Sequence, residues 1–192
     1  MALFTGKGDD GTTKTFGCDQ KRISKSSSVA EALGSLDEIN SFLGLCKIKA
    51  REKGFTISGL KLEGKDLRMD NLVHDLQKNL FIVQAELAGA PKTIEEAKIK
   101  EMEEKINFIE KIMPPIKTFF ISGGSELASL FDIARTLARR AERRVVAARE
   151  EGAVKIGDQT LAYLNRLSSM LYALARLSNH LSGITEEAPD YK

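Results

Sequence analysis

One stretch of the chain strongly favours a long amphipathic helix. After Gly123-Gly124, apolar residues recur at spacings of three and four, which is the period of an α-helix. These residues are Leu127, Leu130, Phe131, Ala134, Leu137, Ala138, Ala141, Val145 and Ala148. Ser125 stands where an N-cap residue would accept a backbone hydrogen bond, and Glu126 suits the positive end of the helix dipole. The stretch therefore predicts one helix of a packed helical domain.

Charged residues border the apolar face of this predicted helix. They are Arg135, Arg139, Arg140, Glu142, Arg143 and Arg144. Guanidinium groups stay charged and offer a planar fork of donors, so such a cluster suits a polyanion such as triphosphate. The same pattern is also typical of a solvated, salt-bridged helix face. The helix alone does not decide between these two interpretations.

Four further segments carry the helical period, at about 28–51, 70–88, 93–113 and 159–181. A T-x-x-E capping box, Thr93 with Glu96, is predicted to begin the third helix, and Pro114-Pro115 to end it. The glycine-containing segment from Gly54 to Lys65 is predicted to be a loop. With no credible sheet, the fold class is all-α: a five-helix bundle with an irregular N-terminal arm.

Length and composition narrow the possible classes. The 192 residues predict a single domain over 1–192, with a phosphate-binding arm at 1–25 and a frayed tail at 184–192. The 29 Lys and Arg nearly balance the 27 Asp and Glu, which argues against a dedicated nucleic-acid binder. Cys18 and Cys46 form no C-x-x-C pair, which predicts reduced thiols. No window approaches a membrane span, so we expect a cytoplasmic protein.

The N-terminal arm contains a literal G-x-G-x-x-G from Gly6 to Gly11. The dinucleotide-binding fingerprint requires a strand before it and a helix after it, and neither is predicted here. A Walker A loop is excluded as well, because no Gly-Lys-Ser/Thr closes the run. What remains is a run of backbone N–H groups, threonine hydroxyls and lysines that could wrap phosphates, with a disordered terminus as the alternative.

Histidine usage excludes several metal sites. The only histidines are His74 and His180, and the residues three positions before them are Asn71 and Leu177. A di-iron bundle needs two Glu-x-x-His pairs, and no zinc ligand spacing is present. Both histidines are predicted to lie at the surface. An enzyme built on this chain would act through positioning and Arg/Lys charge, with or without magnesium.

Four segments in order resemble the PduO-type ATP:cob(I)alamin adenosyltransferases. They are TGKGDDGTT at 5–13, ALGSLDEINSFLG at 32–44, FISGG…ARTLARRAERRV at 120–145 and YLNRLSSMLYALAR at 163–176. The resemblance covers nearly the whole chain, and RRAER followed by NRLS about twenty residues later is its most specific part. The chain departs from the family at Ser122, where proline is common, and at Asp132, where histidine is common.

The resemblance implies a five-helix bundle that assembles as a homotrimer with active sites between subunits. It implies transfer of the 5′-deoxyadenosyl group of ATP to the cobalt of cob(I)alamin, or of cob(I)yrinic acid a,c-diamide, which yields the adenosylated corrinoid and triphosphate. Co(I) is a strong nucleophile that needs no protein base, and Mg²⁺ would be held mainly by phosphate oxygens. A reductase and an adenosylcobalamin-dependent enzyme are the protein partners implied.

The same resemblance implies roles for individual residues. ATP would bind the arm at Thr5, Gly6, Lys7, Gly8, Thr13, Lys14 and Lys25. Across the trimer interface it would bind Arg139, Arg140, Ala141, Glu142, Arg143 and Asn165. Asp37 and Arg135 would form an interface ion pair and, with Phe119, would serve catalysis; no residue is assigned to a metal. Phe119 would pack against the lower corrin face and displace the axial base, which would leave cobalt four-coordinate.

Alternatives remain open at this stage. Phe119 could instead be a core residue, although the adjacent Phe120 fits the core better. The chain could be a non-catalytic nucleotide- or corrinoid-binding carrier or sensor with the same pockets. A helical nucleic-acid binder is the third hypothesis and ranks last because the net charge is nearly neutral.

Overall fold

The computed structural model describes residues 3–16, 22–62 and 64–191. Its five helices confirm the predicted all-α bundle: α1 (Ser28–Lys53), α2 (Met69–Leu87), α3 (Glu96–Lys111), α4 (Glu126–Glu150) and α5 (Asp158–Leu181). It also contains four short strands: β1 (Thr12–Lys14), β2 (Arg22–Ser24), β3 (Thr56–Leu62) and β4 (Lys65–Arg68). Cys18 lies outside the described residues.

The helices pack side by side in the order α2, α1, α4, α5, α3. Contacts along their lengths show α2 and α4 antiparallel to α1, and α3 parallel to α5. Ion pairs show which residues of α1 and α4 lie opposite one another: Glu38 pairs with Arg140, and Lys49 Nζ lies 3.3 Å from Glu126 Oε1. We call the end that holds the start of α1 and the end of α4 the arm end. The opposite end is the loop end, because residues 112–125 cross it between α3 and α4.

The apolar stripes predicted from the sequence meet in one core. Leu36, Leu80, Phe131 and Leu167 are fully buried where four of the helices face one another. Cys46 is a buried free thiol, and burial raises its pKa to about 12, which makes it unreactive. In the described part of the chain, no helix combines the length and apolar character needed to cross a membrane.

Two antiparallel hairpins correct the prediction that the chain has no sheet. β1 pairs with β2 inside the arm that was expected to be irregular. β3 pairs with β4 across the predicted loop between Gly54 and Lys65. The sequence pattern did not predict β3 because its pairing with β4 is irregular between Ile57 and Lys61. The alternation of apolar and polar residues is therefore too short to be recognised. Ile57 and Leu67, both buried, anchor this hairpin to the core.

The predicted capping box is also wrong. Helix α3 begins at Glu96 after Glu95, and no side chain caps its first turn. The chain stays extended past Thr93 because Ile94 is buried and its N–H donates to Thr160 Oγ1 on α5, at 3.5 Å. A contact between distant segments therefore overrides the local capping signal.

Asp70, at the start of α2, supports a prediction about stability and pH. Its side chain is 5% exposed and accepts hydrogen bonds from Arg68 Nε at 2.9 Å and Arg51 Nε at 3.2 Å. Burial opposes ionisation, but the hydrogen bonds from the two arginines outweigh it and hold the pKa of Asp70 below its usual 3.8. The contribution of Asp70 to stability is therefore complete above about pH 3.8 and disappears as the pH falls through the folded-state pKa.

We expect Asp70→Asn to lower the free energy of unfolding by about 1.5 kcal/mol at pH 7, because charge-assisted hydrogen bonds are lost. Urea unfolding at pH 7 and at stepwise lower pH would measure it, and the difference from the unmodified protein should shrink in acid. Asp158→Asn is the control, since its side chain is 85% exposed. A difference that stays constant down to acid pH would contradict the assignment.

Candidate active site

A cavity of about 750 Å³ opens at the loop end, between the loop 112–125 and the adjoining faces of α4 and α5. The loop supplies an apolar wall of Ile116, Phe119, Phe120 and Ile121. The helices supply polar and charged groups on the other side: Asp132, Arg135, Arg139, Ser168, Tyr172 and Arg176. One concave surface thus combines aromatic area with guanidinium groups, as expected of a site for a large, partly charged ligand.

The two adjacent phenylalanines of the loop have different surroundings. Phe119 is 79% exposed and forms part of the cavity wall. Phe120 is partly buried, with its ring centroid 5.2 Å from the guanidinium carbon of Arg176. Phe120 therefore packs against Arg176, while the ring of Phe119 is available to a ligand.

Side chains from α4 and α5 hold the loop where it enters α4. Asn179 Nδ2 donates to the Gly123 carbonyl at 2.8 Å, and Asn179 Oδ1 accepts from the Ser125 N–H at 2.9 Å. Asp132 Oδ2 accepts from the Gly123 N–H at 3.1 Å. Ser125 caps α4 by accepting from the Ala128 N–H, as the sequence predicts. The N–H and the carbonyl of Gly123 are therefore both hydrogen-bonded, which fixes this part of the loop relative to the cavity.

Gly124 shows how closely the loop and Asn179 approach one another. Its φ is +102°, and a Cβ atom there would lie 2.5 Å from Asn179 Oδ1. We expect Gly124→Ala to cost about 2–4 kcal/mol of unfolding free energy, from backbone strain and overpacking together. Gly54→Ala is the control, because Gly54 has φ +66° and open space around it. Equal losses in urea unfolding would show that the contact with Asn179 is not the cause.

Two residues of the predicted tail, 184–192, make defined contacts with the rest of the fold. Glu186 Oε2 accepts from Arg176 Nε at 2.9 Å, and the Glu187 carbonyl accepts from the Ile121 N–H at 2.8 Å. Arg176, on α5, is nearly buried and also donates to the Pro114 carbonyl at 3.0 Å. The segment therefore packs against the loop that forms the cavity wall.

Arg135 lies at the base of the cavity with incomplete pairing. Its Nε is enclosed and makes no hydrogen bond with the described residues, and it lies 3.6 Å from Asp132 Oδ1. Its guanidinium carbon is 5.9 Å from the ring of Tyr172, whose pKa is raised mainly by burial. Asp37 is exposed on α1, and within the described part of this chain no ion pair joins it to Arg135.

The other predicted ATP residues of α4 and α5 fall into two groups. Arg139 and Arg143 are exposed, and Glu142 Oε1 accepts from Asn165 Nδ2 at 3.1 Å, which joins the two helices beside them. Arg140 instead turns toward α1, where it pairs with Glu38. Ala141 is fully buried. Its side chain belongs to the core, so the prediction that Ala141 contacts ATP is not supported for its side chain.

The arm is an ordered turn and hairpin within its described residues. Lys25 Nζ donates to the Gly8 carbonyl at 2.8 Å, and the Lys7 N–H lies 3.4 Å from Thr5 Oγ1. Thr13 and Lys14 lie in β1, and Gly6 adopts φ +68° in the preceding turn.

The arm leads into α1 at the arm end, while the cavity lies at the loop end. Glu31 of α1 lies beside Arg144, nine residues, or about 14 Å of helix, from Arg135. No hydrogen bond or ion pair joins Thr5–Thr13 to Arg139, Arg143 or Asn165 among the described residues. Within the described part of one chain, these two predicted halves of an ATP site are therefore not joined by a hydrogen bond or ion pair.

Several residues of the cavity were not assigned a role from the sequence: Tyr172, Arg176, Asn179 and Glu186. A signal for three of them exists, because Asn165, Ser168, Tyr172, Arg176 and Asn179 recur at spacings of three and four along α5. His74 and His180 are exposed, as predicted. Among residues 3–16, 22–62 and 64–191, no three His, Cys, Asp or Glu side chains converge in a way that could hold a metal ion.

Comparison with known proteins fixes the family. The model of the cobalamin adenosyltransferase family matches residues 3–178. The chain belongs to this family. It is 38% identical to a Bacillus subtilis corrinoid adenosyltransferase, over 96% of this chain and 90% of the relative. It is also 38% identical to the Citrobacter freundii corrinoid adenosyltransferase PduO, but spans only 50% of that protein, about half its length.

A solved relative shares the fold of this adenosyltransferase-family chain. It is a variant PduO-type ATP:corrinoid adenosyltransferase from Lactobacillus reuteri complexed with cobalamin and ATP. The two superpose with a TM-score of 0.82 at 29% identity, over 98% of this chain and 99% of the other. Another variant of the Lactobacillus reuteri enzyme, complexed with ATP, also gives a TM-score of 0.82.

Proposed function

We propose that this chain is an ATP:corrinoid adenosyltransferase that transfers the 5′-deoxyadenosyl group of ATP to the cobalt of cob(I)alamin. The products are adenosylcobalamin and triphosphate. The observation that carries the proposal is that one cavity is lined by both an exposed aromatic ring, Phe119, and the guanidinium groups of Arg135 and Arg139. It lies in a fold shared with a structure that holds cobalamin and ATP.

The reaction is a displacement at the 5′ carbon of the ribose. The cobalt electron pair forms the Co–C bond, the C–O bond to triphosphate breaks, and the leaving oxygen keeps the bonding pair. No proton moves, so the protein needs to align cobalt with carbon and to stabilise the departing charge. Orientation of this kind can supply about 7–11 kcal/mol of barrier reduction, and fixed cations stabilise charge that develops on the leaving group.

Phe119 is the group that we assign to the cobalt. Its exposed ring at the cavity wall offers flat apolar area to the lower face of a corrin. A ring in that position would exclude the axial base and leave cobalt four-coordinate, which makes reduction to Co(I) easier. The ring of Phe120 would keep its contact with the guanidinium group of Arg176 and so support the loop.

The triphosphate would be bound by two copies of the chain. Arg139, Arg143 and Asn165 from one copy would face the arm of a neighbour, whose Lys7 and backbone N–H groups complete the site. The remaining arm residues of the predicted set would shape that loop: Thr5, Gly6, Gly8, Thr13, Lys14 and Lys25. Since no hydrogen bond or ion pair joins these halves within the described part of one chain, a homotrimer with sites between subunits would bring them together.

Adjoining faces of α1 and α4 suit this interface between copies. Leu45 and Ile48 on α1 are 42% and 52% exposed, and Ile133 on α4 is 47% exposed. Such apolar area on a helical surface favours burial against another protein surface. Asp37, exposed earlier on the same helix, and the incompletely paired Arg135 would then form the ion pair between subunits.

Magnesium fits this site as a companion of the nucleotide. Glu142 and Asn165 are the oxygen-bearing side chains beside the arginines, and they already bond to each other, which leaves few protein ligands. Mg²⁺ needs few protein ligands because it keeps several waters and binds phosphate oxygens. When bound, it would screen the charge of the triphosphate. We propose as protein partners a reductase that supplies Co(I) and an enzyme that uses the product.

The test is direct. Incubation of the protein with ATP, magnesium and chemically reduced cobalamin under strict anaerobiosis should yield adenosylcobalamin and one triphosphate per turnover. Absence of product would contradict the proposal. A single turnover followed by tight retention of the product would instead identify a carrier.

A further inference from the structure

The loop that bears Phe119 needs support from outside itself. Between Ile112 and Ser125 it contains no helix or strand, and Ile116, Phe119 and Ile121 are each at least 46% exposed. A segment with so few buried side chains has little local stability of its own. The position of the Phe119 ring therefore depends on the contacts made by the residues around it.

Arg176 makes contacts on both sides of Phe119. It is 4% exposed, donates to the Pro114 carbonyl before the ring, and faces the ring of Phe120 directly after it. Its Nε donates to Glu186, so its charge is paired. A buried guanidinium group is costly unless it is paired and hydrogen-bonded, and each of these contacts contributes to meeting that cost.

The chain after α5 completes this support. We call residues Ile184–Glu187 the strap. Its first residue donates to the Asn179 carbonyl at 2.9 Å, and its last accepts from the Ile121 N–H at 2.8 Å. The strap thus begins at the end of α5, passes Arg176 through Glu186, and bonds the loop two residues after Phe119.

We propose, on the basis of the proposed function, that Arg176 and the strap hold Phe119 in place for the cobalt step. Arg176 is then a positioning residue, because its fork points to Pro114 and Glu186. Asn165, which we assign to ATP, bonds to Glu142 and Arg166. Among the described residues, no hydrogen bond or ion pair joins Arg139 or Asn165 to the strap. A change that weakens the contacts of the strap should therefore slow the cobalt step and leave ATP binding unchanged.

Glu186→Ala is the test variant, in the full chain. We expect it to lower kcat roughly 10- to 100-fold, because displacement of a reacting group by about 1 Å has that effect. The KM for ATP should stay within about twofold. Electron paramagnetic resonance of cob(II)alamin bound with ATP should show a smaller four-coordinate fraction than the unmodified protein. Glu186→Gln keeps an oxygen acceptor for Arg176 and should recover most of kcat and most of the four-coordinate fraction.

Asp158→Ala is the matched control, since it removes another arginine partner on α5, that of Arg149, about 27 Å of helix from Arg176. It should leave kcat and the four-coordinate fraction unchanged. The inference is overturned if Glu186→Ala behaves like the control, or if ATP affinity falls as much as kcat. If the unmodified protein itself gives no four-coordinate signal and no product, the proposed function fails and this inference fails with it.

Discussion

Replacing Phe119 with alanine is expected to lower turnover on the order of 10²-fold while ATP affinity stays within about twofold. The ring is exposed at the cavity wall, so its loss removes no core packing. On the proposed mechanism, its loss would let the axial base return to cobalt and would remove the surface that sets the distance between corrin and ribose. Steady-state kinetics with reduced cobalamin, together with ATP titration, would separate the two effects.

Phe81→Ala controls for the loss of an exposed aromatic ring. Phe81 is 65% exposed on α2, away from the residues that line the cavity. It should leave turnover unchanged. A parallel fall of turnover, ATP affinity and unfolding free energy in Phe119→Ala would place Phe119 in the core and contradict its assignment to the corrin.

The second large effect is expected at Arg139. Arg139→Ala should weaken ATP binding roughly 10- to 100-fold, since charge-assisted hydrogen bonds contribute about 1.5–3 kcal/mol. Arg139 is exposed and makes no ion pair with the described residues, so the fold should not depend on it. Isothermal titration with ATP and a thermal unfolding scan would measure affinity and stability separately.

Arg144→Ala is the matched control on the same helix. Arg144 turns toward α1, where its guanidinium group lies 4.0 Å from Glu31. Its loss should leave ATP affinity close to that of the unmodified protein. If Arg139→Ala only lowered the melting temperature, Arg139 would be a scaffold residue and the triphosphate would bind elsewhere.

The helices could be predicted because each carries an apolar stripe long enough to show its period. Leu127 through Ala148 is the clearest case, and α4 begins at Glu126 behind its predicted cap, Ser125. The hairpins could not be predicted in the same way. β1 and β2 are three residues each, and β3 is irregular next to Gly59, so no alternation is sustained.

The candidate site was predictable only in part, for a related reason. Phe119, Arg135 and Arg139 followed from the resemblance, and the structure brings all three to one cavity. The roles of Arg176 and Asn179 depend on hydrogen bonds to Pro114 and Gly123, more than fifty residues earlier in the chain. Periodicity within one helix carries no information about such contacts, so these residues could be seen as a polar stripe but not as supports of the loop.

The central claim is that the arm of one copy and the arginine face of another bind the same triphosphate. Complementation tests it: Lys7→Glu and Arg139→Glu would be purified separately, each expected to be inactive, then unfolded together and reassembled. If sites form between subunits at random, the mixture should recover about one quarter of the unmodified activity, because one pairing in four joins two intact halves. A mixture that stays as inactive as its parents, or a fully active monomer, would contradict the claim.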